Sequence, residues 1–103
     1  ILINTTRSFD QLGLGDFVKD FRRERLLTVP ATELALKHVG RPVPNAALLG
    51  AFAAVGGLIT LEAVHAAIDD KFGGAVADGN KAAASEAYKV VLDQEKQAEA
   101  YHA

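Results

Sequence analysis

Cysteine, methionine and tryptophan are all missing from this 103-residue chain, proline occurs three times, and the aromatics are five Phe and two Tyr. Without cysteine the chain makes no disulfide and offers no thiolate to an iron–sulfur cluster. Without methionine, Ile1 is not an initiator. The chain reads as opening inside a strand, with upstream sequence removed or encoded elsewhere. Basic residues are not in excess: the net charge is −2 and the pI about 5.9. That balance argues against a surface built for nucleic acid or an anionic membrane. No basic region and cleavage site accompany the short apolar opening, so no signal peptide is expected. The uncharged run 46–59 is short and Gly-containing, whereas a membrane-spanning helix needs about 20 apolar residues. A cytoplasmic location is expected.

What the chain has in quantity is Ala, Val and Leu, with half of all residues apolar. At this length it forms at most one small domain, with little margin for burying a core alone. Ile1-Leu2-Ile3-Asn4 and Leu26-Leu27-Thr28-Val29 read as parallel strands buried on both faces. Ser8 or Asp10 is placed to cap a helical turn that stops at Gly13-Leu14-Gly15. Asp16 opens a second short piece, with Phe17, Val18 and Phe21 inward and Lys19, Asp20, Arg22 and Arg23 outward.

Pro30 suits the first turn of a helix running to about Val39, on which Glu33 and Lys37 are spaced for a surface pair. Thr60 is expected to cap the helix bearing the stripe Leu61, Val64, Ile68 and Phe72, which stops at Gly73-Gly74. A last helix opens near Ala77 or Asp78 and buries Ala84, Ala87, Tyr88 and Val91. It turns polar and frays beyond Gln94. Strands alternating with helices indicate an α/β layer, and two strands alone do not make a stable sheet. The fold class is therefore α/β: part of a parallel-sheet domain, mostly helical here. It divides into strands and short helices (1–29), a helical region (30–92) and a tail (93–103).

The most informative segment is Val39-Gly40-Arg41-Pro42-Val43-Pro44-Asn45, followed by Ala46-Ala47-Leu48-Leu49-Gly50-Ala51-Phe52. Gly40 suits the left-handed position after a helix, the prolines hold the connector extended, and Asn45 is a good N-cap. The helix that follows is small and apolar all round, so it is expected to be buried nearly all round. Such a helix belongs inside an assembly. Arg41, Asn45, Leu48, Leu49, Gly50 and Phe52 are the candidate interface residues.

Other tempting sites have plainer readings. Gly13-Leu14-Gly15 lacks the third glycine and the long helix of a phosphate-binding loop, so it reads as a turn. Lys19, Arg22, Arg23 and Arg25 form a basic cluster on a solvated face, with an acidic partner or a phosphate as the functional alternative. Glu62 and His65 have the Glu-x-x-His spacing of di-iron bundles but lack the second copy and further carboxylates such a site requires. His38 and His102 have no partners at ligand spacing. No Ser/His/Asp or Cys/His set can be assembled. No catalytic, cofactor-binding or metal-ligating residue is assigned.

From residue 28 to residue 91 the chain resembles the C-terminal part of the gamma subunit, or gamma domain, of 2-oxoacid:ferredoxin (acceptor) oxidoreductases. The resemblance is carried by Val29-Pro30-Ala31-Thr32-Glu33-Leu34-Ala35-Leu36, by Gly40-Arg41-Pro42 with Asn45, and by Leu48-Leu49-Gly50-Ala51. It continues through Gly57-Leu58-Ile59-Thr60-Leu61-Glu62-Ala63-Val64 to an Ala-rich helix containing Asn80 and Ala87-Tyr88. Enzymes of this kind decarboxylate a 2-oxoacid on thiamine diphosphate with magnesium, pass electrons through iron–sulfur clusters to ferredoxin or another acceptor, and commonly release an acyl-CoA. The resemblance thus implies a non-catalytic scaffold that docks alpha, beta and delta-type subunits and helps enclose the coenzyme A site. A small helical interaction module of an unrelated complex is the alternative.

Overall fold

The structure is a computed structural model. It describes the chain apart from residues 23–25, 57 and 103 and the side chains of residues 56 and 99–102. Strand β1 (Leu2–Asn4) leads through a short helix α1 (Gly15–Val18) to β2 (Leu27–Val29). Four helices follow: α2 (Ala31–His38), α3 (Asn45–Gly56), α4 (Leu61–Lys71) and α5 (Gly74–His102).

As expected, the two strands are parallel neighbours, with Leu2 opposite Leu27 and Asn4 opposite Val29. Their burial differs from expectation. Leu27 and Val29 are buried, but Leu2 and Ile3 are only half-buried and Asn4 is exposed. Among the described residues β1 is an edge strand, with a neighbour on one side. On the far side of β2, the Gln94 side chain accepts from the Thr28 N–H at 3.0 Å and donates to the Thr28 carbonyl at 2.5 Å.

Helix termini follow local chemistry. Gly40 has φ +86°, and its N–H reaches the Ala35 and Leu36 carbonyls, closing α2. Thr60 accepts from the Ala63 N–H at 3.0 Å and starts α4. Ser8 and Gln11 bond reciprocally at the turn after β1. The start of α2 is capped from outside: Asn4 Oδ1 accepts from the Thr32 N–H at 3.3 Å, and Asn4 Nδ2 donates to Thr32 Oγ1 at 2.9 Å.

Several expectations are corrected. Asn45 is not the cap but the first residue of α3; the Pro44 carbonyl accepts the first helical bond, from the Leu48 N–H. Phe17 and Phe21 do not point inward. They are 71% and 45% exposed and stack with ring centroids 6.2 Å apart, while Val18 alone goes inside. Lys37 pairs across to Glu86 instead of along its own helix with Glu33. The last helix opens earlier, at Gly74, and persists to His102, with Ala98 buried beyond the expected fraying point. Gly56-Gly57, the pair expected from its glycines to end the helix begun at Asn45, and Arg23 and Arg25 of the basic cluster fall wholly or partly outside the described residues.

α5 is the central element, packing against α2, α3, α4 and β2. One core cluster joins Leu27, Val29, Leu34, Ala47, Ala51, Ala87 and Val91. A second joins Ala46, Ala53, Val64, Ile68, Ala77 and Ala84. These alanines let helix backbones approach closely. The limit is reached where the Gly50 backbone lies against Ala84 with no room for a Cβ. Gly79 meets the His38 carbonyl in the same way, seating α2 on α5.

Candidate subunit-docking face

α3 has apolar residues on every side, and the chain covers only part of it. Ala47, Gly50 and Ala51 are buried against the rest of the molecule. Leu49, Phe52 and Val55 are 46%, 44% and 40% exposed, at three-residue spacing along the opposite side. The expectation of a helix with few exposed residues is therefore not met within this chain. Its apolar composition leaves no side suited to water, and one side is uncovered.

Of the candidate interface residues, the structure brings Asn45, Leu48, Leu49 and Phe52 together. With Leu2 of β1 they line an open apolar groove of about 480 Å³. Arg41, on the exposed connector, lies outside that groove. With Val43, Leu49, Ile68, Phe72 and Asn80 it borders a second cleft, of about 420 Å³, beneath that connector. Asn80, buried there, donates to the Val76 carbonyl of its own helix at 2.9 Å. Gly50 does not belong to the outer face. Its close approach is to α5 of the same chain, so its role is internal packing.

Polar groupings join the helices at several places among the described residues. Glu86 of α5 accepts from Lys37 Nζ and lies at 2.8 Å from His38 Nε2, so both residues at the end of α2 converge on one carboxylate. The Lys37 hydrogen bond, then that of His38, holds the Glu86 carboxyl below its ordinary pKa. His65 of α4 lies 2.8 Å from Ser85 Oγ of α5. Lys81 bonds Asp69 at 2.8 Å with Asp78 farther off at 3.9 Å, and the Asp69 hydrogen bond raises its pKa.

Sequence reasoning missed the Lys37–His38–Glu86 and His65–Ser85 meetings. Glu86 is 49 and 48 residues from Lys37 and His38, and Ser85 is 20 from His65, so no local spacing signals them. Glu62 is exposed, and among the described residues no three potential metal ligands gather.

Residues 1–90 match the family described as pyruvate ferredoxin/flavodoxin oxidoreductase. The chain belongs to that family. It is 37% identical over 89 residues to the pyruvate/ketoisovalerate oxidoreductases common subunit gamma of Pyrococcus furiosus, covering 86% of this chain and 46% of that protein. It is 38% identical over 92 residues to pyruvate synthase subunit PorC of Methanocaldococcus jannaschii, covering 89% and 46%. The crystal structure of a pyruvate oxidoreductase subunit from Thermotoga maritima matches with a TM-score of 0.68 at 30% identity, over 86% of this chain and 48% of that one. The chain spans about half the length of the curated relatives it matches. Family membership disfavours the unrelated helical module. Among the described residues no helix is long and apolar enough to cross a membrane.

Proposed function

We propose that this chain is a gamma-type, non-catalytic part of a 2-oxoacid:acceptor oxidoreductase complex, and that the outer face of α3 docks it to the catalytic subunits. The observation that carries the reading is the uncovered stripe Leu49–Phe52–Val55, in a member of a family whose relatives are named as subunits. Leu48, Leu49 and Phe52 supply the apolar contact. Asn45 and the exposed Arg41 supply polar contacts at its edge, with Arg41 reaching a partner carboxylate.

In this proposal oxidative decarboxylation of a 2-oxoacid takes place on the alpha and beta-type subunits, with thiamine diphosphate, magnesium and coenzyme A. Iron–sulfur clusters on beta and delta-type subunits carry the electrons to ferredoxin or a similar acceptor. The donor set of this chain fits that division, because a chain without cysteine has no thiolate for a cluster. Purification of the native assembly through a tag on this chain tests the reading. Iron, thiamine diphosphate and larger co-migrating chains are expected. Recovery of the tagged chain with none of these would overturn it.

A further inference from the structure

A buried amide and two unpaired cations meet in the cleft beneath the connector. Asn80 of α5 is 5% exposed and lines that cleft. Its Nδ2 donates to the Val76 carbonyl at 2.9 Å. A carbonyl accepts and never donates, so this bond settles which way the amide is turned. Oδ1 is then left without a protein partner among the described residues. A buried acceptor left unmet is costly, and one that lines a cleft marks a place for a donor.

Val39, Val43, Leu49, Ile68, Phe72 and Val76 wall the cleft with apolar surface. Arg41 from the connector and Lys71 from the last turn of α4 are its charged lining residues, and no carboxylate lines it. Among the described residues neither cation has an ion-pair partner. The cleft is also continuous with the outer side of α3, because Asn45 and Leu49 line both it and the apolar groove there. A buried acceptor, apolar walls and an unneutralised cationic rim together specify what fits.

We infer that the cleft receives a tyrosine side chain from an acidic segment of the partner subunit. An aliphatic or phenylalanine anchor would cover the walls and leave Asn80 Oδ1 unmet. A tyrosine ring covers the same walls and carries at its tip a hydroxyl that donates to Oδ1. The cleft, at about 420 Å³, has room for one large side chain and the backbone that bears it. Carboxylates beside that tyrosine in its own chain meet Arg41 and Lys71. This inference rests on the docking reading and names what the partner inserts beside the α3 stripe.

The test puts the photoreactive residue p-benzoylphenylalanine in place of Val43, at the exposed margin of the cleft, in the tagged chain of the native assembly. Mass spectrometry of the crosslinked peptide is expected to show a partner-subunit segment with a tyrosine and neighbouring Asp or Glu. A segment without that tyrosine, a segment of the family fold outside this chain, or no crosslink would overturn the inference. Asn80→Leu keeps the bulk and removes the acceptor, and is expected to speed release of this chain from the assembly about tenfold. Lys71→Gln should do the same at low salt and less at high salt. Phe52 does not line the cleft, so Phe52→Glu tests the docking reading alone. Release by Phe52→Glu, with Asn80→Leu and Lys71→Gln held as firmly as the parent, would remove the tyrosine anchor and leave docking by α3 in place.

Discussion

Gly50 of α3 lies against the backbone of Ala84 in α5 so closely that a Cβ at position 50 has nowhere to go. The contact is backbone against backbone, so no flexible side chain can move aside. Gly50→Ala is expected to destabilise the folded chain by about 1–3 kcal/mol, and Gly50→Leu to prevent the two helices from seating. Gly73→Ala is the control, because a Cβ there meets nothing within 4 Å. A lowered melting temperature of the purified assembly for position 50, with no change for position 73, is the expected result.

Leu49→Glu and Phe52→Glu place charge on the uncovered side of α3. Both are expected to release this chain from its larger partners on size exclusion while its helical circular dichroism remains. A variant that stayed in the assembly with full turnover would remove α3 from the docking surface.

Glu86 gives the fold a dependence on acid. Its carboxyl titrates below the ordinary value of 4.5 because Lys37 and His38 donate to it. A depressed folded-state pKa contributes stability above the unfolded value, and that contribution is lost as pH falls through the lower, folded one. At neutral pH Glu86→Gln is expected to lower stability by at most about 1 kcal/mol, since the pair is partly solvated. The gap between the parent and the variant should close below about pH 4.5 in denaturant titrations.

His38, His65 and Glu62 are expected to be dispensable for turnover. His38 and His65 join helices, through Glu86 and Ser85 respectively, and Glu62 faces solvent. Alanine at each position should leave turnover of the reconstituted complex nearly unchanged. Loss of turnover in His65→Ala, with assembly and cofactor content normal, would place chemistry in this chain.

Expressed without partners, the chain is expected to self-associate or remain molten. It combines an open strand edge with an uncovered apolar helix face, and Phe17 and Phe21 add exposed aromatic surface. Dye binding and concentration-dependent elution would show this. A sharp cooperative melt of a monomer would contradict it.

Much of the fold was legible because its causes are local. Gly40 in the left-handed region, Thr60 at the start of α4 and the Val64–Ile68 stripe follow from steric freedom, a side-chain oxygen within reach of free N–H groups, and helical spacing. The parallel strands were visible as apolar runs, and the family in the order of several such segments. The candidate face was legible only as composition: an apolar α3 announces that it needs cover without saying which side this chain provides.

Tertiary structure alone decided the rest. It turned Gly50 inward onto Ala84 and left Leu49, Phe52 and Val55 outside, because α5 has one surface to offer α3. It carried Asn4 to the start of α2, gathered Lys37 and His38 on Glu86, and set Gln94 along Thr28. Each of these depends on where α5 or β1 comes to rest. That placement results from summed packing over many small side chains, none of which carries a directional signal in the sequence.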